Sequence, residues 1–212
     1  LSGADRIGLV GAALVATRMA ISGLPATRPS PAGRRALVLL VLPLALFLPL
    51  PGGSVATFVR GALGDLAPTT IFLVALSLSE RLALPGRRLT GLSMPLAGSI
   101  VAVEALLVLS TLGLLPFDLP ASGWAPGLPL LLAVGGAISL AWRFDRPAAA
   151  SLLAGFALWI AGLGPSANLW DSLLDPLLAA IALLAIARKL VPPRQTEADG
   201  NPDRPEGAPS AA

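Results

Sequence analysis

Residues 95–115 read PLAGSIVAVEALLVLSTLGLL, an unbroken apolar run whose one ionisable side chain is Glu104. At about 1.5 Å per residue, a helix of this length reaches across about 30 Å of hydrocarbon. Five further apolar runs flank it, at 36–51, 67–84, 128–142, 147–163 and 176–191. Several of these are short for a span, so their helices should extend into the adjoining loops. The expected fold is therefore all-α: a polytopic transmembrane helical bundle of six spans, or seven if the segment before residue 36 also crosses.

Composition points the same way. The chain is 55% hydrophobic and 13% charged, with a mean hydropathy of +0.79. That leaves too little polar surface for a domain of this size in water. A net charge of +3 and a pI near 10.9 are what basic loops on one membrane face produce. No basic stripe interleaved with aromatics marks a nucleic-acid surface, so no nucleic-acid partner is expected. The expected partners are the lipid bilayer and other membrane proteins.

Prolines sit where this division needs helix starts, because a first-turn N–H has no intrahelical acceptor and its loss does no harm. Pro68, Pro95, Pro129, Pro147 and Pro176 all fit. Ser93 and Asp175 are candidate N-caps, since a side-chain oxygen there can accept an orphan backbone N–H. Pro43 lies inside the first run and should kink it.

Loop charge sets an orientation. Arg28, Arg34 and Arg35 precede the first run, Arg81, Arg87 and Arg88 follow the second, Arg143 and Arg146 follow the fourth, and Arg188, Lys189 and Arg194 close the last. The alternate connections carry Asp65, Asp118, Asp171 and Asp175 against the single base Arg60. The positive-inside rule then places the C-terminal end in the cytoplasm. The Ala-, Leu- and Arg-rich composition suggests a bacterial chain, hence the inner membrane.

Three regions follow. Residues 1–35 hold an N-terminal segment and a basic loop, and its stretch 7–24 reads either as an amphipathic helix on the surface or as a seventh span with Arg18 snorkelling. Residues 36–191 form the bundle. Residues 192–212 are polar, rich in Pro, Gly and Ala, and read as a disordered tail. No internal repeat or matched motif relates the two halves.

Missing residue types exclude much chemistry. Without Cys there is no disulfide or thiolate site, and without His no Ser-His-Asp triad, zinc motif or haem histidine. No cofactor and no metal are expected. Gly61-Ala62-Leu63-Gly64-Asp65 departs from the Gly-x-Gly-Asp pattern of presenilin-like proteases. Asn168-Leu169-Trp170-Asp171 meets only a fragment of the lipoprotein signal peptidase motif, with Ser172 in place of its Arg.

Carboxylates, Arg and amides remain as candidates. Glu104 is costly at mid-span unless it is protonated, paired or hydrated, and so reads as a proton or cation relay, or as a helix-packing hydrogen bond. Ala97, Ile100, Val101, Val108 and Thr111 share its face. The stretch from Arg60 to Pro68 should break into a short helix and a new helix, because Gly61, Gly64 and Pro68 all oppose continuity. Arg60 and Asp65 lie about 140° apart round an ideal helix and pair well only across such a break. Asn168, Asp171 and Asp175 precede the last run. Asp65, Asp171 and Asp175 are thus candidate catalytic acids, and Arg60, Glu104, Asp118 and Asn168 candidate ligand-binding residues, all except Glu104 in the outer connections.

Three functions fit these residues. The chain can be a noncatalytic component of a membrane or cell-envelope assembly, packing through small faces such as Gly135, Gly136 and Ser139. It can be an ion- or proton-coupled small-solute transporter using Glu104 and the broken second helix. Or it can be an outer-leaflet enzyme acting on a lipid or glycan carrier, with Arg60 holding phosphate.

Overall fold

The computed structural model describes residues 3–22, 48–83 and 92–191 without a break, together with positions 33, 36, 38, 40–42, 44 and 46. Pro43, the basic residues Arg28, Arg34, Arg35, Arg87, Arg88 and Arg194, and the tail from Pro192 lie outside the described residues. The described residues are mostly helical. In order come α1 (Gly3–Ser22), the two-residue strands β1 (Pro49–Leu50) and β2 (Gly53–Ser54), α2 (Val55–Leu63), α3 (Pro68–Ala83) and α4 (Met94–Thr111). A 3-10 turn (Pro120–Gly123) leads to α5 (Leu128–Phe144), α6 (Arg146–Ile160), the one-turn α7 (Leu169–Leu173) and α8 (Pro176–Leu190). The described positions between 33 and 46 are also helical.

All five prolines expected at helix starts occupy a first turn. Glycines stop the helices: Gly64 (φ 78°), Gly113 (φ 69°) and Gly162 (φ 67°) follow α2, α4 and α6 in the left-handed region that a side chain disfavours. The first apolar run departs from expectation at its end. Instead of helix to residue 51, Pro49–Leu50 turns back antiparallel on Gly53–Ser54. Pro49 and Pro51 cannot donate to a helix ladder, and Gly52 and Gly53 take positive φ to close the hairpin.

Helix α3 packs on α6, α4 on α8, α5 on α6, and α1 on both α2 and α3. The central core joins Leu73, Leu92, Ala97, Ile100, Ala148, Leu178 and Ala182. Close approach depends on Gly155 in α6, where a Cβ would run into Thr69 and the carbonyl of Ser172. Large apolar side chains also point outward, among them Leu106, Leu132, Leu140, Leu153, Leu183 and Leu184. Among the described residues, α4 is the one helix long and apolar enough to cross a membrane, with a mean hydropathy of 1.8 and only 22% of its length buried. Apolar stretches in α3, α5 and α6 are shorter.

Two buried aspartates tie the helix starts together. Asp175 caps α8 by accepting from Leu178 N at 2.6 Å, and its other oxygen accepts from Ala67 N at 2.7 Å, just before α3. Asp145 caps α6 through Ala148 N at 3.1 Å and reaches Ser93 N at 3.0 Å, just before α4. Ser93 does occupy the N-cap position, but its hydroxyl makes no capping bond; Asp145 takes its amide instead. At the far end of α8, Lys189 donates to the carbonyl of Leu92 at 3.0 Å. Helices α4 and α8 are therefore antiparallel, and the two aspartate ties lie at opposite ends of α8, about 20 Å apart along its axis.

Candidate functional site

The cleft begins where α8 and α3 start. Glu104 lies seven residues before the end of α4, so α4 continues about 10 Å past it. The chain from Pro165 to Asp175 and the 3-10 turn wall in that extra height. The result is an open cavity of about 370 Å³ whose lining includes Asp65, Glu104, Asn168, Asp171 and Asp175. On α4, Leu107, Val108 and Thr111 line the cleft, while Ala97 and Ile100 of the same face are buried in the core beneath it. The polar wall that α4 lacks comes from the connections after α2 and α6.

Each connection is shaped by local chemistry. Asn168 caps α7 by accepting from Trp170 N at 2.9 Å and donates to Pro120 O at 3.1 Å, joining α7 to the 3-10 turn. The Trp170 indole N–H lies 3.1 Å from Leu119 O and 3.2 Å from Ser122 Oγ, closing the same seam. Gly123 is required there, because a Cβ would collide with Asn168 and Trp170. Asp171 accepts from Ser166 Oγ at 2.6 Å and is otherwise exposed. Leu174 is extended (φ −133°, ψ 147°), so no single helix carries Asp171 and Asp175. The bend between α7 and α8 brings both to the same cleft.

Arg60 and Asp65 pair across the break after Leu63, Nε to Oδ1 at 2.6 Å. Arg60 also binds Asp5 of α1, Nη2 to Oδ1 at 3.1 Å. Hydrogen bonding to Asp65 is the largest influence and raises the guanidinium pKa above its ordinary value; burial pulls the other way, and the bond to Asp5 adds to the rise. Arg60 is not part of the cleft lining, and neither is Asp118. Asp118 accepts from Ala121 N at 3.0 Å and so caps the 3-10 turn.

Asp175 is the most buried of the cleft's acids, with 7% of its surface exposed. Burial raises its pKa. The Thr70 hydroxyl, then the amides of Leu178, Ala67 and Leu177, pull the other way. Thr70 exerts this pull without a hydrogen bond of good geometry, since its oxygen has no bonded partner. No Lys or Arg lines the cleft to offset its four carboxyl groups. Among the described residues, no three acids converge closely enough to form a metal-ion cage.

Asp145 and Asp5 escaped the sequence reading. Asp145 sits two residues before Pro147 as Asp175 sits directly before Pro176, so the Asp-then-Pro start was the available signal. For Asp5 there was none. No protein-family model matches the chain, and no curated protein or solved structure matches it.

Proposed function

We propose that this chain is a multi-pass membrane protein whose outer-facing acidic cleft takes up a small cation or cationic solute, with Glu104 as the relay between that solute and protons. One observation carries the reading: Glu104, Asp65 and the pair Asp171 and Asp175, from three separate parts of the chain, line one open cleft that no basic side chain lines. Such a lining concentrates cations and repels anions. It also gives the acid on α4 an aqueous side, which is how an intramembrane carboxyl becomes useful.

The bilayer is the medium that fits the outward apolar side chains of α4, α5, α6 and α8, since soluble monomers rarely expose large apolar patches. In this reading α3, α4, α5, α6, α8 and the helical segment before β1 are the six spans. Loop charge supports a cleft on the outer side and a C-terminal end in the cytoplasm, and the Ala-, Leu- and Arg-rich composition supports a bacterial source. Connections that dip below the rim, such as 161–175, are tolerated because protein and an aqueous cleft cover their backbone groups.

Electrophysiology on proteoliposomes tests it. Concentration jumps of Na⁺ and of a panel of small organic cations should evoke pH-dependent currents in the native chain, and Glu104→Gln should abolish them while the protein stays folded. Undiminished currents in that variant, or none in the native chain, would sink the reading.

A noncatalytic role in a membrane assembly is the second reading, favoured by α5. Gly135 and Gly136 have open space where a Cβ would stand, and Ser139 beside them is exposed. Small residues on an uncovered helix face allow another helix close. The lipid- or glycan-carrier enzyme receives less support, because the guanidinium meant for phosphate is held by two carboxylates beside the cleft.

A further inference from the structure

We infer that α1 is a seventh membrane crossing, that its start lies on the cleft side, and that Arg60 fastens this start to the cleft wall through Asp5 and Asp65. The inference goes beyond the cleft's proposed function and rests only on that reading's premise that the bundle sits in a bilayer.

The argument is the register between α1 and α3. Near the start of α1, a Cβ on Gly8 would meet the Arg60 side chain at 3.1 Å and Asp65 at 3.4 Å. One turn on, Gly11 lies against Ile71 and Leu66. Val15 then packs with Leu66, Ile71 and Val74. Finally Arg18 Nε donates to Ser77 Oγ at 3.2 Å. Rising numbers in α1 meet rising numbers in α3, so the two helices run parallel and side by side over most of the length of α3. If α3 crosses the bilayer, α1 crosses with it.

A surface helix would look different. It needs one apolar face and one polar face, whereas the apolar residues of α1 are spread round its circumference. Gly8, Gly11, Ala12, Ala13 and Thr17 are buried, and small residues of this kind admit close helix packing. Twenty residues reach about 30 Å, and the three charges that make α1 less apolar than α4, Asp5, Arg6 and Arg18, lie in its first and last turns or next to them, where they reach the two rims. Arg18 then falls toward the inner end, and Arg28, Arg34 and Arg35 follow on the cytoplasmic side as the loop charges require.

Arg60 acts here as a positioning residue. One nitrogen holds Asp5 and another holds Asp65, which lines the cleft. The start of α1 is thereby mechanically joined to the cleft's own wall.

Sided labelling of the full chain tests this, using a membrane-impermeant maleimide on intact cells and on inverted vesicles. The Cys-free background allows single variants. Ala167→Cys and Phe144→Cys report the outer and inner connections, and labelling from opposite sides establishes the bilayer premise by itself. Given that, Ser2→Cys should label from the same side as Ala167→Cys. Labelling of Ser2→Cys from the Phe144 side, or equally from both sides, overturns the inference while leaving the cleft reading intact. If the two controls label from the same side, it is the membrane reading that fails.

Discussion

Ala67 donates its backbone N–H to Asp175 Oδ2 at 2.7 Å, across 108 residues of sequence. This bond fastens the start of α3 to the start of α8 at the floor of the cleft. Two buried amides depend on the same carboxylate, so its loss leaves both without acceptors. Asp175→Ala should destabilise the protein by about 2–4 kcal/mol, from one lost N-cap and one orphaned buried amide. Asp145→Ala should do the same at the other end. Asp118→Ala, which uncaps one exposed turn, should stay below about 1 kcal/mol. Unfolding midpoints of the purified protein in a mild detergent check all three, and a negligible effect at Asp175 would contradict the tie.

Acidity should act on the same residue with a defined sign. Burial raises the folded-state pKa of Asp175 above its unfolded value, so the folded state binds the proton more tightly. The stabilisation this supplies is fully present below the ordinary carboxylate value and disappears as pH rises through the raised one. The stability of the native chain relative to Asp175→Asn should therefore grow on acidification within that window. A flat or opposite trend in denaturation curves taken at several pH values would show that hydrogen bonding outweighs burial.

Glycines at two places should respond oppositely. Gly155→Ala forces a methyl against Thr69 and the carbonyl of Ser172, so about 1–3 kcal/mol of destabilisation is expected from overpacking. Gly136→Ala meets nothing and should leave the isolated protein unchanged or slightly more stable. A larger residue, Gly136→Leu, separates the two proposed functions. Loss of a copurifying partner supports the assembly role, and retained cation currents support the cleft.

Trp170→Phe keeps the ring but removes the N–H that meets Leu119 O and Ser122 Oγ. The seam between α7 and the 3-10 turn should loosen. Hydrogen exchange in residues 116–124 should rise, with the helices below unaffected. Equal protection in both proteins would place the stability of that wall in Asn168 and Gly123 instead.

Helix positions were legible because they follow from local rules. Apolar runs, first-turn prolines and stop glycines act within a few residues, and α3 to α6 and α8 begin and end within a few residues of the expected limits. The expected break after Leu63 is equally local, and Arg60 pairs with Asp65 across it. The hairpin at 49–54 was missed because Pro49 and Leu50 extend the apolar run while their backbone turns away from it.

Which carboxyl groups meet was beyond the sequence. Asp65, Glu104, Asp171 and Asp175 look alike as acids near helix ends or within a span, and so does Asp118, which the fold leaves outside the cleft. Their grouping depends on α4 running past the start of α8, on Leu174 bending the chain, and on Gly155 letting α6 close on α3. Those are packing relations between distant segments. Composition and periodicity, by themselves, determined a largely helical and strongly apolar chain with most of its loop acids outside the tail on one set of connections. Tertiary structure alone decided that Asp5 also occupies Arg60, that α1 lies parallel to α3, and that Glu104 faces a cleft, because each requires side chains remote in sequence to arrive at one point in space.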